Sequence, residues 1–212
     1  PLAELVIHDY AAQAKVVSLP STVDQTIFKS GNKSNARERF GLLPNKQYIG
    51  TAGGLYKDKG VEVIYQAWEK LKHEMPNVHL VLAGPYQPDY PPPEEERVHY
   101  LGSLAHHEIS TLFQALDLGI ISILDTPFGR YCFPQKAYEM LACELPVVVA
   151  NIGEMSYLFR DSPQVLFQTG NANDLASKIQ QQLQSPQQQS IAVEDWATII
   201  QRIEPMITAL KF

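Results

Sequence analysis

The stretch Tyr48-Ile49-Gly50-Thr51-Ala52-Gly53-Gly54-Leu55-Tyr56-Lys57-Asp58-Lys59-Gly60 decides the fold. A short apolar run leads into paired glycines and a lysine. A helical pattern follows at Val61, Ile64, Tyr65, Trp68 and Leu71, with spacing i, i+3, i+4, i+7, i+10. This reads as strand, turn and helix. Paired glycines let a backbone approach a ligand closely, and Lys59 adds a cation beside the next helix start, so the turn suits a phosphate. A second stretch of the same kind is Phe133-Pro134-Gln135-Lys136-Ala137-Tyr138-Glu139-Met140-Leu141-Ala142-Cys143-Glu144-Leu145-Pro146-Val147-Val148-Val149. It opens a helix with Pro134 near the first turn, where a missing N–H costs nothing. It sets Glu139 one turn inside and ends on an apolar strand. A phosphate cradle and a helix-borne carboxylate together suit a nucleotide diphosphate, with phosphates at one place and sugar hydroxyls at the other.

Outward from these two turns the chain alternates between hydrophobic periods of strand and helix. Short β-branched runs lie at 15–19, 48–52, 78–83, 98–101, 119–123, 146–150 and 165–167. Further helical patterns are Ile109, Leu112, Phe113, Leu116 and Leu175, Ile179, Leu183. Strands apolar on both faces need helices on both faces of the sheet. Right-handed crossovers put the C-terminal loops on one edge, where ligands bind at the switch point. The expected fold class is α/β, a Rossmann-like doubly wound parallel sheet.

Composition narrows the function. The 212 residues are 45% hydrophobic and 19% charged, enough for a sizeable core in an ordinary globular protein. A net charge of -6 argues against non-specific nucleic-acid binding and a polybasic membrane anchor. No apolar run is long enough to span a bilayer, and the N-terminus has no signal-peptide layout. Cys132 and Cys143 lack metal-ligand spacing and suggest no disulfide framework, so a reducing cytoplasm is the expected compartment. The segment 84–96, rich in proline and acid, reads as a solvated connection. The glutamine-biased segment 180–190 carries no functional reading.

The ordered elements Val17-Ser18-Leu19-Pro20-Ser21-Thr22-Val23-Asp24, Gly53-Gly54-Leu55-Tyr56-Lys57-Asp58-Lys59-Gly60, Leu80-Val81-Leu82-Ala83-Gly84, Tyr100-Leu101-Gly102 and Phe133 to Ala142 with Pro146-Val147-Val148 carry a resemblance. Together they resemble the C-terminal half of a GT-B glycosyltransferase of the retaining group 1, or family 4, type, over nearly the whole chain from about Lys15. That resemblance implies two Rossmann-like domains across a cleft, with a nucleotide-diphosphate sugar held mainly by the C-terminal one. Lys59 matches the lysine that neutralises the donor diphosphate. Glu139 matches the second carboxylate of an E-x7-E motif, which accepts from ribose hydroxyls. The backbone of Gly53, Gly54, Phe133, Pro134 and Gln135 would lie against the phosphates, and the turn Tyr100-Leu101-Gly102 against the base. No cofactor or metal is implied beyond the donor substrate.

Two positions depart from the family pattern. Gly54 stands where an arginine is usual, and Tyr131 stands where the first carboxylate of the motif falls. Asp125 is the nearest upstream acid, and Arg130 can stand in for the absent cation. Plainer readings stay open. The glycines can simply make a tight turn, and Lys57 and Lys59 can be solvated charges. His106 and His107 read as polar first-turn residues, the cysteines as packing, and Trp68 and Trp196 as core or interface. Glu139 differs, because a carboxylate among apolar neighbours is expensive without a partner.

Trp196, Ile199, Ile200, Ile203, Ile207 and Leu210 make a continuous apolar stripe, which Pro205 is expected to kink or break. The resemblance has such a helix crossing back to the N-terminal domain; packing on its own sheet is the alternative. The expected organisation is a remnant or linker at 1–14, a donor-binding domain at 15–190 and a helical segment at 191–212. The resemblance implies that a catalytic histidine and the acceptor contacts lie in an N-terminal partner domain, and it allows a full-length enzyme to associate peripherally with the inner face of the membrane. Three functions follow: a transferase donor domain, a non-catalytic nucleotide-sugar-binding module, or a GT-B nucleotide-sugar epimerase.

Overall fold

A computed structural model of the chain describes residues 6–8, 21–133, 135–187, 189 and 191–208. The strand expected at 15–19, Pro134 and Leu210 lie outside the described residues. Helix α1 (Lys33–Arg39) precedes β1 (Gln47–Ala52), and β1 runs through a 3-10 turn (Lys57–Lys59) into α2 (Val61–Glu74). Then come β2 (Val78–Ala83), β3 (Val98–Tyr100), α3 (His106–Ala115) and β4 (Leu118–Ile121). After these follow α4 (Pro127–Tyr131), α5 (Gln135–Ala142), β5 (Val147–Ala150), α6 (Gly153–Leu158), β6 (Leu166–Phe167), α7 (Ala172–Gln184) and α8 (Trp196–Thr208).

The strands form one parallel sheet in the order β3-β2-β1-β4-β5-β6. This is a doubly wound, Rossmann-like α/β fold. β2 and β5 are buried along their whole length, as strands covered on both faces must be. The cover is helical: α2 packs against α7, while α1 and α5 pack against α3. The stripe anticipated on α2 is buried at Val61, Ile64, Trp68 and Leu71. Asn32 and Asn171 cap α1 and α7, each accepting a backbone N–H in the first turn. Asp117 ties the base of the sheet together. It accepts from buried Arg37 at 2.6 Å, from Lys33 at 2.9 Å and from the Tyr48 N–H at 2.8 Å.

Three segments take on detail in the fold. The acidic, proline-rich connection is not simply solvated: Glu95 accepts from Trp68 Nε1 at 3.1 Å and from Lys72 at 2.7 Å, pinning the loop to α2. In the glutamine-rich segment, Gln182 and Gln189 are buried, and the Gln189 side-chain carbonyl accepts the Val147 N–H at the start of β5. Of the kink or break expected at Pro205, the break does not occur: the proline lies inside α8, which continues to Thr208. The carbonyl freed by a proline belongs to the residue four back, and both Gln201 and Pro205 are exposed, so water can satisfy it.

Candidate functional site

β1 and β4 pair in parallel, Ile49 opposite Leu118 and Gly50 opposite Gly119. The strands that follow them lie on opposite sides, β2 beside β1 and β5 beside β4. Their connections therefore diverge, and a crevice opens at the C-terminal edge. It holds a cleft of about 260 Å³, lined by Ala52 and Gly53 from β1, Lys59 from the 3-10 turn, and Ile121, Ser122 and Ile123 at the end of β4. Phe133, Gln135, Lys136 and Glu139 close it from the start of α5, with Ile109 and Cys132 at its sides.

Each side chain is set by local structure. Gly53 has φ 109°, a conformation that L side chains rarely adopt, so the β1 turn exposes bare backbone to the cleft. Lys59 ends the 3-10 turn, and its ammonium lies 3.9 Å from the centre of the Phe128 ring. Phe133 stacks on Tyr138 with centroids 5.3 Å apart. Gln135 accepts from Ser21 Oγ and donates to the Thr22 carbonyl, fastening the start of α5 to the loop before α1. The positive end of α5 therefore faces the cleft from a fixed place.

Glu139, one turn further along α5, has a side chain only 13% exposed, with Oε1 3.8 Å from His106 Nε2. Burial pushes its carboxyl above the ordinary range, and His106 and Lys136 pull it part of the way back. His106 opens α3 and meets the Phe28 ring edge-on at 4.9 Å, so it is more than a polar first-turn residue: it partners the site's carboxylate. Lys59 and Glu139, from motifs 80 residues apart in the chain, line one cleft, as the two turns imply.

The remaining anticipated residues lie elsewhere on the edge or have other partners. The segment Tyr100, Leu101 and Gly102 closes β3, two strands away from β1. There the Tyr100 hydroxyl donates to the Gly84 carbonyl at 2.9 Å, and its ring meets Tyr86 edge-on. Arg130, whose side chain is 60% exposed, pairs with Asp125 at 2.6 Å, five residues earlier in the chain. That pair also occupies the nearest upstream acid. Tyr131 is 44% exposed at the end of α4. The space beside Gly54 is filled by Tyr56, whose ring stands 2.5 Å from where a Cβ would be.

No role for Lys136 is legible in the sequence. In the fold its ammonium donates to Thr51 Oγ1 on β1 at 3.2 Å and lies 3.6 Å from where a Cβ on Gly53 would stand. Part of the side chain reaches the cleft surface, while the ammonium lies deep among protein atoms. Burial, reinforced by Lys59, pushes its pKa down to about 8, with Glu139 opposing. Cys132 and Cys143 are free thiols whose pKa values burial raises, as packing residues should have.

Residues 46–185 match the profile of the family "Glycosyl transferases group 1", and the chain belongs to that family. It is 26% identical over 170 residues to the D-inositol 3-phosphate glycosyltransferase of Mycobacterium marinum, a match that takes in 74% of this chain and 34% of that protein. The chain thus spans about a third of that relative's length. Among solved structures, the C-terminal domain of the glycosyl transferase group 1 family protein LpcC from Francisella tularensis is similar with a TM-score of 0.64 at 18% identity, over 85% of this chain and 97% of that one. Anabaena HepE, in complex with UDP and glucose, is similar with a TM-score of 0.73 at 25% identity, over 91% of this chain and 56% of that one. The fold is that of the C-terminal half of a GT-B glycosyltransferase.

Proposed function

We propose that this chain holds a nucleotide-diphosphate sugar in the β1–β4 cleft, for transfer of the sugar to an acceptor with retention of configuration. The observation that carries the reading is the meeting of Lys59, the bare backbone of Gly53, the α5 N-terminus and Glu139 around one crevice at the switch point. A cation and a helix N-terminus stabilise the negative charge that grows on a departing nucleoside diphosphate, and that stabilisation is the main catalytic work available here. Glu139 is placed to accept from ribose hydroxyls. The UDP and glucose bound in the complex of Anabaena HepE support the same substrate class. The donor brings its own leaving group, so the reaction needs no cofactor.

Acceptor contacts and the catalytic histidine belong, on this reading, to an N-terminal partner domain. The isolated chain then binds donor and transfers nothing. Tyr131 favours a second reading, a non-catalytic nucleotide-sugar-binding module, because it removes one carboxylate of the motif and leaves an exposed phenol. A thermal-shift panel of UDP, GDP, ADP and their sugars tests the shared core of both. One of them should raise the melting temperature, by roughly 2.7 kcal/mol of added stability at a hundredfold excess over Kd. No shift with any of them would contradict the donor-site reading. Among the described residues no helix is long and apolar enough to cross a membrane.

A further inference from the structure

Lys136 has a position that packing alone does not explain. Its ammonium carries three donors, and it makes one hydrogen bond among the described residues, to Thr51 Oγ1 at 3.2 Å. No carboxylate among the described residues forms an ion pair with it. Glu139, one turn along the same helix, is 3.8 Å from His106 instead. Lys59 lines the same cleft and carries the same charge. Two ammonium groups converging on one crevice, one of them desolvated, are costly unless an anion comes between them. The side-chain space of residue 54 is taken by the Tyr56 ring, and Arg130 pairs with Asp125.

We propose that Lys136 is the second cation of the diphosphate site, clamping the anion against the Gly53 backbone together with Lys59. The proposal rests on the donor-site reading above and adds a residue to it. It also carries a consequence for protons. The groups facing Lys136 are Lys59 from the 3-10 turn and Glu139 on its own helix with His106 behind it, and the Cys132 thiol lies at the side of the same cleft. Burial and Lys59 hold the free ammonium down to about 8. A diphosphate beside it favours the charged form, so binding at mildly alkaline pH draws a proton from solvent onto Nζ.

Calorimetric titration of the chain with UDP, GDP and ADP, and with the matching monophosphates, tests this. Lys136→Met and Lys59→Met should each weaken the best diphosphate about tenfold to a hundredfold, the loss of one charge-assisted bond, and should change the monophosphate less. Wild-type affinity should fall between about pH 7 and 9, with proton uptake visible in buffers of different ionisation enthalpy, and Lys136→Met should lose both effects. Unchanged diphosphate affinity in folded Lys136→Met, with Lys59→Met impaired, overturns the proposal and leaves the donor reading intact. No binding of any nucleotide to the wild type overturns both. If Lys136→Met does not fold, the wild-type titration decides: a pH-independent affinity with no proton uptake overturns the proposal.

Discussion

Glu139 stands alone as an acid on a helix whose neighbours Ala137, Tyr138 and Met140 are buried. Its carboxyl is raised by burial, so the sign of its effect is fixed: the contribution is favourable below the ordinary carboxyl pKa and is lost as pH rises through the folded value. Glu139→Gln should therefore melt higher than the wild type at neutral pH, and the difference should close as pH falls toward about 4.5. The same variant should bind nucleotide about tenfold more weakly, because a charged acceptor for ribose is gone. A variant less stable at pH 7 with unchanged affinity would make Glu139 a structural residue. Glu139 is legible in the sequence because a carboxylate amid apolar positions is conspicuous. Lys136 is not: a lysine that follows a glutamine at a helix start looks solvated until β1 and α5 are brought together. Arg130 shows the converse, since its partner Asp125 lies only five residues earlier in the chain.

At the scale of elements, the sheet carries a second titrating feature, away from the cleft. His79 on β2 and His99 on β3 stack with centroids 5.2 Å apart and share a hydrogen bond of 2.9 Å between Nδ1 and Nε2, beside Tyr48. Burial lowers both pKa values, with His99 adding to the effect at His79. The shared bond needs one nitrogen unprotonated. Stability from this pair is present above the unfolded histidine pKa of 6.5 and is lost as pH falls below it. The melting temperature should drop between about pH 7 and 5.5, and His99→Gln should flatten that drop. Equal slopes in both proteins would show that other groups set the acid limit.

The strands and the helices α2, α3 and α7 are readable because their apolar periods are clean and their ends are marked by turn residues. The continuity of α8 through Pro205 is not, because it depends on which carbonyls face water. Trp196, Ile200 and Ile207 on that helix are about half exposed, while Ile199 is buried.

For the whole molecule, the order of strands matters more than any motif. A glycine pair, a lysine and a carboxylate are each common, and only the divergence of β2 from β5 about the β1–β4 pair makes one crevice of them. The doubly wound topology was therefore legible from strand–helix alternation, and with it the edge on which the site lies. The site's inventory was legible in part, since Lys59 and Glu139 come from recognisable turns, whereas Lys136 enters the cleft, and His106 reaches Glu139, through tertiary approach. The central claim is that one anion, a nucleoside diphosphate, belongs in this crevice. A crystal structure of the chain with the nucleoside diphosphate that binds it best tests this most directly. The diphosphate is expected over Gly53 between Lys59 and Lys136, with ribose hydroxyls on Glu139. Density for the nucleotide elsewhere, with the β1–β4 cleft empty, would contradict it.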